Sequence, residues 1–264
     1  MFRSFDVAAS GLRTHQAYID VTGDNIANVN SDGFKASRAM FEDTLSQLAR
    51  GTGMTPMPQP NGAVNAAMVG LGVASRGVEG DFAQGALKIT NNATDLAISG
   101  DGYFVLQGRD GPVYTRNGTF SFDAGGTLRA GDGKPVLGSD GRALTVPDGS
   151  RSFTISGAGQ VVAVDQAGTP TVVGTVQLAR FADNAGLLRV GDTQFEATAA
   201  SGAAIVAPAG RNGMGSINSG LTEASNVDLG AELSNLIMAQ RGFQANSRVM
   251  TATDELVDRI NQMT

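Results

Sequence analysis

The chain has 264 residues, a formal net charge of −6, no cysteine and a single histidine, His15. Zero cysteine excludes disulfide scaffolds, thiolate nucleophiles and Cys-ligated metal centres, and one imidazole leaves little for histidine chemistry. An acidic balance with no Lys/Arg cluster excludes surfaces that neutralise nucleic-acid phosphate or anionic lipid, so the expected partners are proteins, with no nucleic acid and no membrane.

Of the 36 glycines, three fall in residues 1–50 and two in 222–264, and all eight prolines lie between Pro56 and Pro208. Gly and Pro disrupt helices, so the two ends are free to be helical and the centre is not. In the first segment Phe5, Ala9, Leu12, Gln16, Ile19, Gly23 and Ile26 recur with gaps of four and three, the seam of a coiled coil interrupted by small and polar residues. Its opening residues, MFRSFDVAASGLRTHQAYID, hold Asp6 and polar side chains where a cleaved signal needs an apolar run. Any export is therefore expected to use another route.

The helix is expected to stop in the Asn-rich run Asp24-Asn-Ile-Ala-Asn-Val-Asn-Ser-Asp-Gly-Phe-Lys35, with a turn at Asp32-Gly33. A connector over 36–74 follows, in which Arg50 to Pro60 is rich in Pro, Gly and Met and reads as extended or loosely ordered. A hinge is expected near 50–70.

Residues 101–149 carry Asp-Gly five times, at 101, 110, 132, 140 and 148. This spacing, with the positive-φ residue that Asp-Gly supplies, predicts short antiparallel strands joined by tight turns. The expected strands include Tyr103–Leu106, Val113–Thr115, Thr119–Phe122, Ala143–Val146, Phe153–Ile155, Val161–Val164 and Val172–Leu178. The body they form is expected over 75–207, with a second connector over 208–221 and a second hinge near 210–222.

Ser225-Asn226-Val227-Asp228 has the form of a capping box. From there Leu229, Leu233, Leu236, Phe243, Met250 and Val257 recur at gaps of four, three and seven, with Gln240, Ser247 and Asp254 in the alternate positions, predicting a helix to about residue 262. The fold class is therefore α+β: long N- and C-terminal helices form a coiled-coil-like pair, with an all-β domain inserted between them. The domains are 1–35 with 222–264 (helical), 36–74 with 208–221 (connector) and 75–207 (β). Seams this poor hold long helices weakly, so Phe5, Leu12, Ile19, Ile26, Leu229, Leu233, Leu236, Phe243, Met250 and Val257 are candidate contacts to other copies.

No G-x-S-x-G, H-E-x-x-H, Walker-type or complete G-x-G-x-x-G motif is present, and the Asp-Gly turns lack the ligand run of a calcium loop. The chain is expected to be no enzyme, with no cofactor, no metal and no catalytic residue.

The segment GLRTHQAYIDVTGDNIANVNSDGFKASRAMFEDTLSQ resembles the N-terminal signature of the bacterial flagellar axial proteins that build the rod and hook. So do GALKITNNATDLAISGDGYF, YTRNGTF, SNVDL and MAQRGFQANSR further along, in the family's order. The resemblance implies a subunit exported through the flagellar type III apparatus that polymerises into a hollow helical tube, helices inside and β domain outside, to transmit torque. Asn25, Asn28, Gly33, Phe34, Lys35, Asn226, Gln240 and Arg241 match the family motif. The implied partners are further copies, other axial proteins of the rod and hook–filament junction, a hook or rod cap and the export apparatus. Gly242-Phe243 within AQRGFQANSR and the DNIANVNSDGFK turn look more like the hook protein, so the preferred expectation is a hook-type universal joint outside the cell. The chain's length favours the alternative, a distal-rod-type drive shaft in the envelope. A β-rich adhesin or enzyme with helical arms is the reading of another class; it would stay monomeric where an axial protein polymerises.

Overall fold

The computed structural model describes residues 2–44, 47–48, 68–147 and 150–263. The Pro/Gly/Met-rich stretch 50–60 and nearly all of the hinge expected over 50–70 lie outside the described residues.

Both expected helices are present: α1 spans Phe2–Ala27 and α2 spans Leu229–Met263. Hydroxyl side chains along both helices bond within their own helix. Ser10 and Thr14 in α1 donate to the carbonyls of Val7 and Ser10, and Ser234, Thr251 and Thr253 in α2 donate to carbonyls four residues back. The capping position differs from expectation. Asp228 precedes the first helical residue, whereas the Ser225 hydroxyl accepts from Val227 N–H in a local turn.

The chain divides into two compact units. The first comprises residues 1–26, 37–79 and 229–264. In it α1 and α2 are joined by a two-stranded sheet of Ser37–Asp43 and Val73–Gly80. That sheet is fastened by Thr44, whose N–H and hydroxyl both donate to Gly72 O, and by Val73 N–H donating to the Ser10 hydroxyl of α1. Tyr18 meets Phe41 edge to face at 5.8 Å.

The second unit comprises 27–36 and 80–228. Its centre is an antiparallel six-stranded sheet in the order Leu188–Gly191, Gln194–Glu196, Pro112–Thr115, Tyr103–Gln107, Gln177–Arg180, Ile205–Pro208. Alternation along Tyr103–Gln107 sends Phe104 and Leu106 to one face and Tyr103 and Val105 to the other, and each face carries its own core. The larger core gathers Leu96, Leu128, Val136, Leu178 and Ile217 around Phe104; the smaller is an aromatic group of Tyr103, Tyr114, Phe181 and Phe195.

Three details differ from the sequence expectation. The run Val172–Leu178 is two strands in two sheets: Pro170–Thr175 closes a three-stranded meander with Gln160–Asp165 and Ser150–Ile155, and Gln177–Arg180 enters the central sheet. Fully buried Val176 makes the corner between them. Ala143–Val146 forms no continuous ladder and makes single bridges to Leu137 and Thr127. The later part of the segment expected as connector over 208–221 is strand, after turns at 209–215. Ser216–Ser219 pairs with Leu96–Ser99, and Leu221–Glu223 pairs with Leu87–Ile89. Among the Asp-Gly turns, Gly102, Gly133 and Gly141 adopt positive φ.

Removing the Phe104 ring leaves a cavity at the crowded centre of the larger core, so Phe104→Ala is expected to destabilise this unit by about 3–5 kcal/mol in denaturant titration. Exposed Val172 supplies the contrast: Val172→Ala should shift stability by no more than about 0.5 kcal/mol.

Candidate functional site

The turn after α1 enters the β unit through Gly33-Phe34-Lys35. Gly33 has φ +71°, donates its N–H to Glu223 O at 2.7 Å, and lies so close to the Arg116–Asn117 backbone that a β-carbon would collide with it. Phe34 is buried under the Arg189 guanidinium, 5.2 Å from the ring centre, and Arg189 also donates to Lys35 O. Lys35 then runs inward, and its ammonium reaches Glu223 Oε1 at 2.5 Å and Ala83 O at 2.7 Å.

Glu223 is the anion of a buried cluster. Its Oε1 also accepts from Gly85 N–H at 2.9 Å, and its Oε2 accepts from Arg116 at 3.2 Å. The Lys35, Glu223 and Arg116 side chains are 1%, 0% and 6% exposed. Arg116 is held further by Gly100 O at 2.9 Å and by the Tyr103 ring at 5.3 Å. One carboxylate thus answers two cations. Burial lowers the Lys35 pKa, the Glu223 charge and hydrogen bond opposing it, and burial raises that of Tyr103. Asn226 ties three backbone segments beside the cluster: its Oδ1 accepts from Ala36 N–H at 2.7 Å, and its Nδ2 donates to Asp81 O and Ala83 O.

A cleft of about 670 Å³ opens between the 28–35 turn and the turns at 130–132 and 191–194. Its polar groups satisfy one another: Lys134 bridges Asp132 and Gln194 at 2.6 and 2.7 Å, and Gln194 donates to Asp132. Among the described residues no group of three or more His, Cys, Asp or Glu could hold a metal ion. The buried cluster and Asn226 hold backbone segments together.

In the helical unit, α1 and α2 run antiparallel. Asn25 donates to Glu232 at 3.1 Å, Gly242 lies against the His15 imidazole, and Gly11 lies against the Asn246 amide. At either position a β-carbon would meet the end of the facing side chain, which would have to turn aside. Asn25 also clasps Ser37, accepting from its N–H at 2.8 Å and donating to its carbonyl at 2.7 Å.

The sequence-predicted residues therefore separate into three sets. Gly33, Phe34, Lys35 and Asn226 converge on the buried cluster, Asn28 lines the cleft, and Asn25 serves the helical unit. Leu12, Ile19, Ile26, Leu236, Phe243, Met250 and Val257 are half-buried, and Phe5, Leu229 and Leu233 are exposed. Gln240 and Arg241 are exposed on α2 and do not join the others. Sequence reasoning did not single out Glu223, Arg116 or Arg189. A lone Glu before SNVDL carries no local pattern, and its role is set only when the last strand pairs with Leu87–Ile89.

The residues singled out thus build struts within the β unit and half-covered apolar stripes on the helices. Residues 5–35 match the model of flagella basal body rod proteins, 97–163 the D1 domain of flagellar hook protein FlgE/F/G, and 218–263 the C-terminal part of flagellar basal body rod FlgEFG proteins. The flagellar basal-body rod protein FlgG of Bacillus subtilis is 39% identical over 98% of both chains, and that of Caulobacter vibrioides 38% over 97% of both. The flagellar hook protein FlgE of Treponema pallidum is 41% identical over 48% of this chain and 27% of its own. The chain belongs to the flagellar rod/hook axial protein family, whose members are structural components of the flagellum.

Because Glu223 faces two cations, Glu223→Gln leaves both buried without an anion and should destabilise the β unit by about 3–5 kcal/mol. Lys35→Met leaves the Arg116–Glu223 pair neutral and should cost less. The pH dependence has a defined sign. Folded Lys35 sheds its proton below the ordinary value of 10.5, so the unfolded chain binds more protons in that window. Relative to Lys35→Met, the native protein should gain stability as pH rises towards 10.5, read by denaturant midpoints across alkaline pH.

Proposed function

We propose that this chain is a distal-rod-type axial subunit, polymerising with copies of itself into the straight drive shaft of the basal body, in the envelope, and acting mechanically with no catalytic role. The observation that carries this reading is length-matched similarity: rod relatives align with it from end to end, whereas the hook relative is matched over about a quarter of its own length. The hook preference drawn from Gly242-Phe243 has a different physical basis. The His15 ring packs on Gly242, which gives the glycine a role in how α1 and α2 fit that is separate from where the polymer sits.

The assembly core is the α1–α2 pair. Phe5 of α1 and Leu229 and Leu233 of α2 are exposed, and the half-buried seam residues beside them gain cover when neighbouring copies pack alongside. Contacts between unlike surfaces that do not close generate a helical polymer. Other axial proteins, a rod cap and the type III export apparatus are the remaining partners of this reading.

Gly242→Leu should force the His15 ring away, part the helices and abolish polymer formation while leaving the β unit's near-ultraviolet spectrum intact. Electron microscopy of basal bodies carrying labelled subunit should find the label in the straight segment within the envelope. Label in the curved segment outside it would return the assignment to the hook.

A further inference from the structure

In the larger cleft of the β unit the polar groups satisfy one another. A second groove, of about 400 Å³, lies on the sheet face that carries the smaller core, and it is built differently. Val105, Leu137 and Val206 give it an apolar lining, and three polar side chains stand among them: Tyr114, Gln107 and Gln177. None of its lining side chains is charged apart from the neutral phenol and amides, so the groove holds no Lys, Arg, Asp or Glu.

Backbone order sets its shape. Tyr114 faces Val105 across a strand pair, Leu137 N–H donates to Val105 O at 2.9 Å, and Gln177 N–H donates to Leu137 O at 3.2 Å. The strand holding Gln177 pairs in turn with the strand holding Val206. Five segments thus lie side by side, and four spacings of about 4.8 Å make a groove roughly 19 Å long. That is the reach of about five or six residues of extended chain at about 3.3 Å each.

The polar groups of the groove are not engaged. Tyr114 is 4% exposed, with its ring edge to face on Phe181 at 4.8 Å, and its hydroxyl has no hydrogen-bond partner among the described residues. The Gln107 and Gln177 side-chain amides also have none among those residues; Gln107 donates only its backbone N–H, to Pro135 O, and Gln177 its own to Leu137 O. Burial raises the Tyr114 pKa above the ordinary 10.0, so the group is a neutral donor throughout the physiological range. A phenol this buried without a partner carries a desolvation cost that a bound acceptor would offset.

We propose that this groove binds an extended, uncharged peptide segment of a partner protein, with small apolar side chains on Val105, Leu137 and Val206 and a main-chain carbonyl accepting from the Tyr114 hydroxyl. The two glutamine amides pair with further main-chain groups, because each offers a donor and an acceptor, as does every peptide unit. A charged segment would lose its water there without meeting a counter-ion, so the lining selects against it. The groove belongs to the β unit alone.

The test titrates the full-length chain, kept dilute enough that no polymer sediments, with the neutral peptide acetyl-Ala-Val-Ser-Val-Ala-amide and follows the protein by NMR. The side-chain amide signals of Gln107 and Gln177 and the methyl signals of Val105 and Val206 should move together and saturate. Acetyl-Ala-Lys-Ser-Glu-Ala-amide should leave them in place. Tyr114→Phe keeps the ring and its packing and should weaken binding about fivefold or more. Val206→Asp places a charge on the exposed wall and should weaken it about tenfold, with the near-ultraviolet spectrum of both variants unchanged. Signals that stay still at millimolar neutral peptide overturn the site, and equal affinity for the charged peptide or for Tyr114→Phe overturns the class of segment assigned to it. Movement of the same signals on raising the protein concentration alone, without peptide, makes a second copy the occupant and overturns the proposal.

Discussion

The carboxylate of Glu223 is buried between the Lys35 ammonium and the Arg116 guanidinium, and four separate stretches of chain meet because of it. The segment leaving α1 supplies Lys35 and the Gly33 N–H; the segment after Gly80 supplies Ala83 O and Gly85 N–H; the central sheet supplies Arg116; and the last strand supplies Glu223 itself. Ion clusters with no access to water carry a large desolvation penalty, and their net worth is often small. Their geometry is another matter, because any arrangement that breaks one contact strands a buried charge. This cluster thus works as a specification of how the segments meet more than as a source of stability. The aromatic and aliphatic cores on either side of the central sheet provide the cohesion.

Close approach is the second constraint, and it explains several small residues together. Gly33 lets the turn press against the Arg116–Asn117 backbone, and Gly11 and Gly242 let α1 and α2 come near enough for Asn246 and His15 to fill the space. The helical contact is thus built from a ring and an amide against bare backbone, with few large aliphatic side chains. The leucines that would ordinarily fill such a seam are left at its margins, where a neighbouring copy can reach them.

How much of this was legible in the sequence depended on the range of the interaction. Helix extents followed from the crowding of Gly and Pro into the middle of the chain and from the four-three spacing, both local signals. Asp-Gly pairs marked turns for the same reason. What the sequence did not reveal was partner choice at long range: that Val172–Leu178 bends at Val176 into two sheets, that 216–223 completes the β unit, and that Glu223 answers Lys35. Gly33, Phe34, Lys35 and Asn226 were visible as a motif, yet the reason for them lies in Glu223, which carries no local pattern, and in Arg116, whose motif did not announce its partner. Gly242 shows the converse. The sequence presented it as a badge of one family branch, and the fold gives it a steric cause.

The bond between Lys35 and Glu223 spans 188 residues of chain. Closing a loop of that size forfeits about 4–5 kcal/mol of chain entropy before any contact across it can form. For a polypeptide made from its N-terminus, Lys35 waits through nearly the whole of synthesis for its counter-ion, and the two strands at 216–223 come late as well. The unit's closing contacts thus belong to the end of chain growth. Until then the leading portion lacks the tie that gives it a unique shape.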